Sequence, residues 1–545
     1  MMKIRTVWLF LCLTLATGAC SQEIEVDILQ VRAGRVYFAA GTETGLAAGA
    51  PFEISCGDST SASGALEYAG PWISFSRPVS DLDTNRVTTA CRGRVTVTGI
   101  DSTAAIRLGT ELPIALIDPE HETLLKGNDA SLAPNLADSI RIDGKELRIY
   151  LPANIRFAGG GQLDAATLVW LFNDLRQRSE SYLTRFFFSR LMASDSGGIE
   201  SEGNLIVRLT LRYPLPSASW FLSHPDFAVY DIRGRGTGPL VLLETGIDGK
   251  KIFIPNAGFR GRRPRFSKLT IVPYDLPSRM REDFGQKRLD GYIGFGFEDG
   301  GAQSGRVAAR YPYMAAMIPR IGKSAGPVKN IALALYAAFD PDRAHLYYPS
   351  GTVESSDRWC AGPDSTDTRR LIPYDTARAR ALVNVLMIPA TPLAIAYDDR
   401  HLMETAGFLS DIAGSMDIPA ETRRAVMGDC PDIDLTFVSA ADQGFPFGLI
   451  EAVMALNDQN ALLPAEERLD NPAWRETDAA CRFDRPADRD KAFGQVQQIL
   501  VGTYGVIPLF RPGIELVTDP LLKNGRFDRS GYPVLEGLFK LKKPR

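Results

Sequence analysis

The chain opens with short runs in which apolar and polar residues alternate. Ile24–Val31 alternates, Gly34 offers a turn, Val36–Ala39 is strand-like again, and Gly45–Gly49 leads into Phe52–Ser55. Period-two patterning with glycine punctuation predicts short strands. The series ends with Gly93–Ile100 and predicts a small β-barrel or sandwich within residues 20–104. Further on, Glu146–Leu151 alternates, Pro152 and Asn154 interrupt it, and Gly159–Gly161 follows Phe157, so a strand gives way to a loop. Asp164 is a good N-cap, and Leu168, Leu171, Phe172 and Leu175 recur behind it at helical spacing. Asn204–Leu211 reads as a strand that ends before Tyr213-Pro-Leu-Pro216, where two prolines forbid regular pairing. Near the C-terminus Asp488–Leu500 places Phe493, Val496 and Leu500 on one helical face, and Ile507–Phe510 reads as a strand after it.

The first residues have a different character. Lys3 and Arg5 precede the apolar run Val7–Leu15, too short to span a bilayer, and Thr17-Gly-Ala-Cys20 follows. This pattern predicts a bacterial signal peptide over residues 1–19, with Cys20 as the acylated first residue of the mature chain and ordinary cleavage as the alternative. No later run approaches the ~20 apolar residues of a spanning helix. Cys56 and Cys91 each border a strand-like segment and are expected to form a disulfide. Cys430 with Cys481 is a second candidate pair, which leaves Cys360 as a free, buried thiol.

Composition narrows the function classes. The chain has 545 residues, 45% hydrophobic and 23% charged, enough for a large core and two or three domains. With 61 basic and 65 acidic residues the net charge is −4, which provides no electrostatic footprint for nucleic acid. His121, His224, His345 and His401 stand apart without metal-ligand spacing and are read as surface or packing residues. There is no G-x-S-x-G elbow and no phosphate-binding loop, and nothing assembles a nucleophile with a base and its orienting group. No catalytic residue, cofactor or metal is therefore expected.

A resemblance emerges from motifs in order. Phe157–Val169 has the layout of "F-x-D-G-x-P-x-T-A-x-D-V", and Gly236-Thr-Gly-Pro239 is a specific tetrapeptide, although Leu240 replaces the usual aromatic. Asn256–Leu269 resembles "N-x-x-Y-x-G-x-x-P-x-x-x-x-I" with Asn, aromatic, Gly and Pro in register. Met280–Asp290 resembles a helix ending "L-x-x-G-E-x-D" in which Lys287 or Arg288 stands for the glycine. Together with Asp488–Phe510 these pieces resemble extracellular solute-binding protein family 5, the peptide and nickel receptors of ABC importers. The likeness covers most of residues 130–515.

The resemblance implies an α/β, two-lobed class II (cluster C) periplasmic binding protein fold, here with the added N-terminal β-module. It implies a large lobe with domain I at 105–130, 228–300 and 505–545 and domain II at 131–227, and a distal lobe, domain III, at 301–504. The implied function is capture of a small polar solute, an oligopeptide first, between two closing lobes, and delivery to ABC permease subunits by a monomeric, lipid-anchored periplasmic protein. Asp442 and Phe445, in the loop after the strand starting at Asp434, are the ligand-binding positions that the resemblance transfers. Two departures stand out: the family's tryptophan is missing from that loop, and Asp118-Pro119 is followed almost at once by Glu122-Thr-Leu-Leu125. They favour an alternative, a divergent member that no longer transports and serves as a ligand sensor or envelope interaction module. The β-module itself reads as a spacer or docking module between anchor and receptor, or as a structural extension.

Overall fold

The computed structural model describes residues 20–32, 35–38, 46, 50–56, 59–69, 74–76, 92–113, 119–128, 131–178, 181–193, 198–261, 263–295, 305–322, 326–340, 353–355, 372, 374–386, 391–425, 431–440, 445–462, 471–483, 485–528 and 531–542. The expected N-terminal module is a closed barrel of six strands: Cys20–Arg32, Arg35–Phe38, Pro51–Cys56, Ser59–Ala69, Ser74–Ser76 and Arg92–Ile100. Alternation explains it, because Val26 and Ile28, Val36 and Phe38, and Phe52 and Ile54 all point into one core with Leu66. Burying each such side chain is worth roughly 1.5–3 kcal/mol. Phe539, from the far end of the chain, completes this core, and Asp101 N–H donates to the Lys540 carbonyl at 2.7 Å where the barrel meets the body.

A four-stranded antiparallel sheet follows, in the order Ser139–Asp143, Glu146–Tyr150, Ile206–Thr210, Ile199–Ser201. The helix Ala165–Arg178 packs on it through Leu168, Leu171 and Phe172. Its first turn is closed as the sequence predicts: Asp164 Oδ1 accepts from Thr167 N at 2.8 Å and from Thr167 Oγ1 at 2.7 Å.

The body is organised on one 12-stranded sheet. In one half Lys268–Pro273, Ala105–Thr110 and Gly291–Phe295 run parallel, with Lys251–Pro255 and Leu240–Thr245 outside them. In the other half Tyr313–Pro319 is antiparallel to Ile433–Ser439, which runs parallel to Leu393–Tyr397 and onward to Ala420–Arg424. A single strand, Ile507–Thr518, joins the halves. Its residues Ile514–Thr518 pair with Gly291–Phe295, while Ile507, Pro508 and Phe510 pair with Met317, Ala316 and Ala315. The strand is buried along its whole length, as a strand covered on both faces must be.

Helices Gly326–Ala338, Thr376–Asn384 and Met403–Ser415 contribute to one of the two large cores. The other runs without a break from the four-stranded sheet into helices Phe447–Leu462, Pro472–Ala480 and Pro486–Ile499. Phe493, Val496 and Leu500 are buried in it as their spacing predicts. The helix expected at Met280–Asp290 ends earlier, at Gly285, and Lys287 then takes a left-handed conformation with φ 60°. Lys287 is thus the residue standing where the resemblance has a glycine.

Two of the resembling motifs meet in space. A Cβ on Gly236 would lie 1.9 Å from the Glu120 carbonyl oxygen, and one on Gly238 would lie 2.5 Å from that of Pro119. Only glycine allows so close a backbone approach. Gly238 N–H donates to Glu120 O at 2.8 Å, and Gly258 N–H closes an Asx turn on Asn256 Oδ1 at 2.9 Å.

Candidate functional site

The carboxyl ends of strands in both half-sheets converge on one seam, the place where open α/β sheets bind ligands. Ala105–Thr110 delivers Glu111, Gly291–Phe295 delivers Phe295, and Leu393–Tyr397 delivers Asp398, Asp399, Arg400 and His401. Arg400 crosses from one half to the other. It donates to the carbonyls of Glu111 at 3.0 Å and Tyr274 at 2.8 Å and pairs with Asp275 at 2.5 Å. Behind it the rings of Phe295 and His401 meet at 4.8 Å, Phe295 and Tyr311 at 5.1 Å, and Tyr311 and Phe437 at 5.4 Å.

Acid groups dominate this seam. Glu111 is 2% exposed; its Oε1 accepts from Phe295 N–H at 2.7 Å, and among the described residues no donor meets Oε2. Burial pushes its carboxyl up, against the backbone hydrogen bond from Phe295 and the positive charges of His401, Arg400 and Arg281. Burial also raises Asp398, partly offset by the hydroxyl of Thr436. For Asp399 burial acts in the same sense, but hydrogen bonds from the ring and the backbone of His401 outweigh it and hold the carboxyl below its ordinary value. An aromatic wall with several carboxylates suits a ligand with a cationic, hydrogen-bonding group.

A second polar group gathers at the end of strand Ile433–Ser439. Ser439, at the end of its strand, donates from N to Glu451 Oε2 at 2.6 Å and from Oγ to Oε1 at 3.0 Å. His224 Nε2 lies 3.2 Å from Ser439 Oγ, and His224 Nδ1 accepts from Asp226 N–H at 3.2 Å. Ser181 Oγ donates to Asp226 Oδ2. Glu451 is pushed up to about 8, by burial first and then by the charge of Asp226. Burial lowers His224. Ser439, His224 and Asp226 superficially resemble a hydrolytic triad, but the hydrogen bonds run the wrong way. The backbone donor at Nδ1 leaves the ring proton on Nε2, and the serine hydroxyl is already committed to Glu451, so His224 has no lone pair with which to take the serine proton.

The structure places the expected site residues unevenly. Asp442, Cys91, Cys360 and Cys430 lie outside the described residues, as do the side chains of Cys20 and Cys56. Phe445 is 1% exposed, and its ring meets Trp220, Phe221, Phe447 and Phe493 at 5.1–6.2 Å. The expected cleft-lining ring thus gives way to a packing role where the four-stranded unit meets the C-terminal helices. Cys481, expected to pair with Cys430, carries a free thiol instead. It is buried in the apolar core at the end of helix Pro472–Ala480, where Ser217 Oγ holds its carbonyl at 2.6 Å. Sequence reading missed Glu111 and Glu451, and took His224 and His401 for surface or packing residues where the structure sets both in polar groups. Glu451 did leave a signal, a lone acid inside the buried run Phe447–Leu456.

No family model matches the chain, and no curated protein matches it. Solved structures do. NikA from Staphylococcus aureus, in complex with Ni(L-His)2, aligns with a TM-score of 0.66 at 15% identity, over 80% of this chain and 100% of that one. The murein tripeptide binding protein MppA from Escherichia coli aligns at 0.65 and 14%, over 82% and 100%. DppA from Helicobacter pylori, an ABC transporter-associated periplasmic binding protein in complex with the peptide STSA, aligns at 0.64 and 13%, over 81% and 98%. The chain has the α/β fold that these binding proteins share.

Proposed function

We propose that this protein is the substrate-binding component of an ABC importer, which captures a small polar solute between two closing lobes and delivers it to a membrane permease without chemical turnover. One observation carries the reading. The strand Ile507–Thr518 belongs to both half-sheets, and their carboxyl-end loops face each other across the seam of Glu111, Phe295, Asp399, Arg400 and His401. A continuous strand can flex between two rigid halves while the loops beyond it open and close. The lobes would follow the divisions near residues 300 and 505.

An oligopeptide is the favoured ligand, because DppA holds a peptide in the same fold and the acidic seam would receive a peptide's amino terminus. Glu111 and Asp399 are the positions we assign to that contact, together with Asp442, the position that the resemblance transfers. Export and anchoring through a lipid on Cys20 belong to the same reading. The alternative, a sensor or interaction module that does not transport, draws support from the barrel, which is joined to the body at Asp101 and Lys540.

Native mass spectrometry of protein taken from its own envelope, followed by a thermal-shift panel of short peptides and metabolites, tests the proposal. A stoichiometric solute whose affinity falls on the order of 10–100-fold in Glu111→Gln, the scale of a lost charged hydrogen bond, supports it. Protein that is reproducibly empty and unresponsive to the panel moves the weight to the interaction module.

A further inference from the structure

The group around His224 holds chemistry that solute capture does not use. His224 and Asp226 flank the short turn Pro225–Phe227, and Glu451 projects from the helix Phe447–Leu462, more than two hundred residues away in sequence. One donor atom from each of the three lies within 4.8 Å of the others. His224 and Glu451 are buried, and the Asp226 side chain, 26% exposed, leaves one open edge. Among the described residues no lysine or arginine is ion-paired with either carboxylate. Two carboxyl groups facing each other with no cation between them favour a positive charge at that place.

The geometry around the imidazole fits the same reading. Nε2–H points to Ser439 Oγ, so the lone pair of Nδ1 faces the same side as Asp226 Oδ2, 3.5 Å away. Two acceptors at that distance match the spacing around a four-coordinate metal, whose bonds of about 2.0–2.2 Å separate its ligands by roughly 3.4 Å. Ser439 also touches Glu451, so it braces both a histidine and a carboxylate ligand from behind, as outer partners of metal ligands do. One imidazole nitrogen with two carboxylate oxygens suits a borderline divalent ion such as Zn2+.

We propose that His224 Nδ1, Asp226 and Glu451 form a divalent transition-metal site that clamps the turn at Pro225–Phe227 to the helix Phe447–Leu462. The ion replaces the 3.2 Å contact between Asp226 N–H and Nδ1 and draws Glu451 toward the turn. Its role is structural, tying the four-stranded unit to the C-terminal helices, and it is separate from the ligand seam at Glu111 and His401.

The test uses the full chain, stripped with chelator, loaded with Zn2+ and desalted. The expected result is about one zinc per chain by elemental analysis and a rise in Tm on titration with Zn2+. Glu451→Gln and Asp226→Asn should lose both responses while keeping the native circular dichroism spectrum, and Ser439→Ala should bind on the order of 10–100-fold more weakly. A folded wild type that retains no zinc overturns the site. So does zinc retention that is unchanged in both carboxylate variants, which would locate the ion elsewhere. Peptide binding is read separately, so the two proposals stand or fall on different measurements.

Discussion

The side-chain amide of Asn256 donates to the carbonyl oxygen of Gly238 at 2.8 Å, and this hydrogen bond joins two sequence motifs that lie eighteen residues apart. Around it Gly236 and Gly238 press against the backbone of Pro119 and Glu120. A Gly236→Ala variant must push that backbone aside. Chemical denaturation should show a loss of about 1–3 kcal/mol, and Asn256→Ala a loss of about 1–3 kcal/mol through the buried acceptor left unmet. Wild-type stability in Gly236→Ala would mean that the close approach is not present in solution.

Lys287 occupies a left-handed backbone position at φ 60°. Such a conformation costs an ordinary residue about 1–2 kcal/mol, while glycine adopts it freely but loses more entropy on folding. Lys287→Gly should therefore raise stability by roughly 0.5–1 kcal/mol. Its ion pair with Asp519 lies at an exposed side chain and should subtract little. A clear loss in equilibrium unfolding would contradict the assigned turn.

Glu451 predicts a pH dependence whose sign can be worked out. Its carboxyl is raised from an ordinary value near 4.5 to about 8 by burial and by Asp226. The folded state then holds the proton more tightly than the unfolded one, so this group's contribution is most favourable at low pH and declines as pH rises from about 4.5 to about 8. Measured with chelator present, the Tm advantage of Glu451→Gln over wild type should be larger at pH 8 than at pH 5. A constant difference would show that Glu451 titrates normally.

In the barrel Ser55 lies opposite Arg92, and the next residues along the chain are Cys56 and Cys91. We expect these two cysteines to form a disulfide. Peptide mapping without reduction should recover them linked, and reduction should cost the barrel about 3–4 kcal/mol. The same digest, alkylated under denaturing conditions, should find Cys481 as a free thiol.

Where local patterning governs, the sequence was readable. Asp164 with Leu168, Leu171 and Phe172 announced a helix, and period-two alternation announced the barrel strands, because side chains there answer to their chain neighbours. Gly236 and Gly238 were recognisable as motif letters, but their cause, the chain at Pro119 and Glu120, is a tertiary fact. The seam was not readable at all. Glu111 and Arg400 meet through a hydrogen bond between residues 289 positions apart, and no spacing rule reaches that far. Phe445 misled for a related reason: an aromatic in a loop after a strand looks the same whether it faces a cleft or, as here, Trp220 and Phe447.

The barrel's first and last strands bear on how the protein stands on its anchor. Cys20 is the Cα partner of Ile100, so the chain enters the barrel beside the point where it leaves for the body. Paired residues in antiparallel strands are only about 5 Å apart. The barrel adds no reach along the chain, and Phe539 in its core and the Asp101–Lys540 hydrogen bond hold it against the body. A lipid on Cys20 would hold the body itself at the bilayer surface, and excising residues 21–99 would leave its height above the membrane nearly the same.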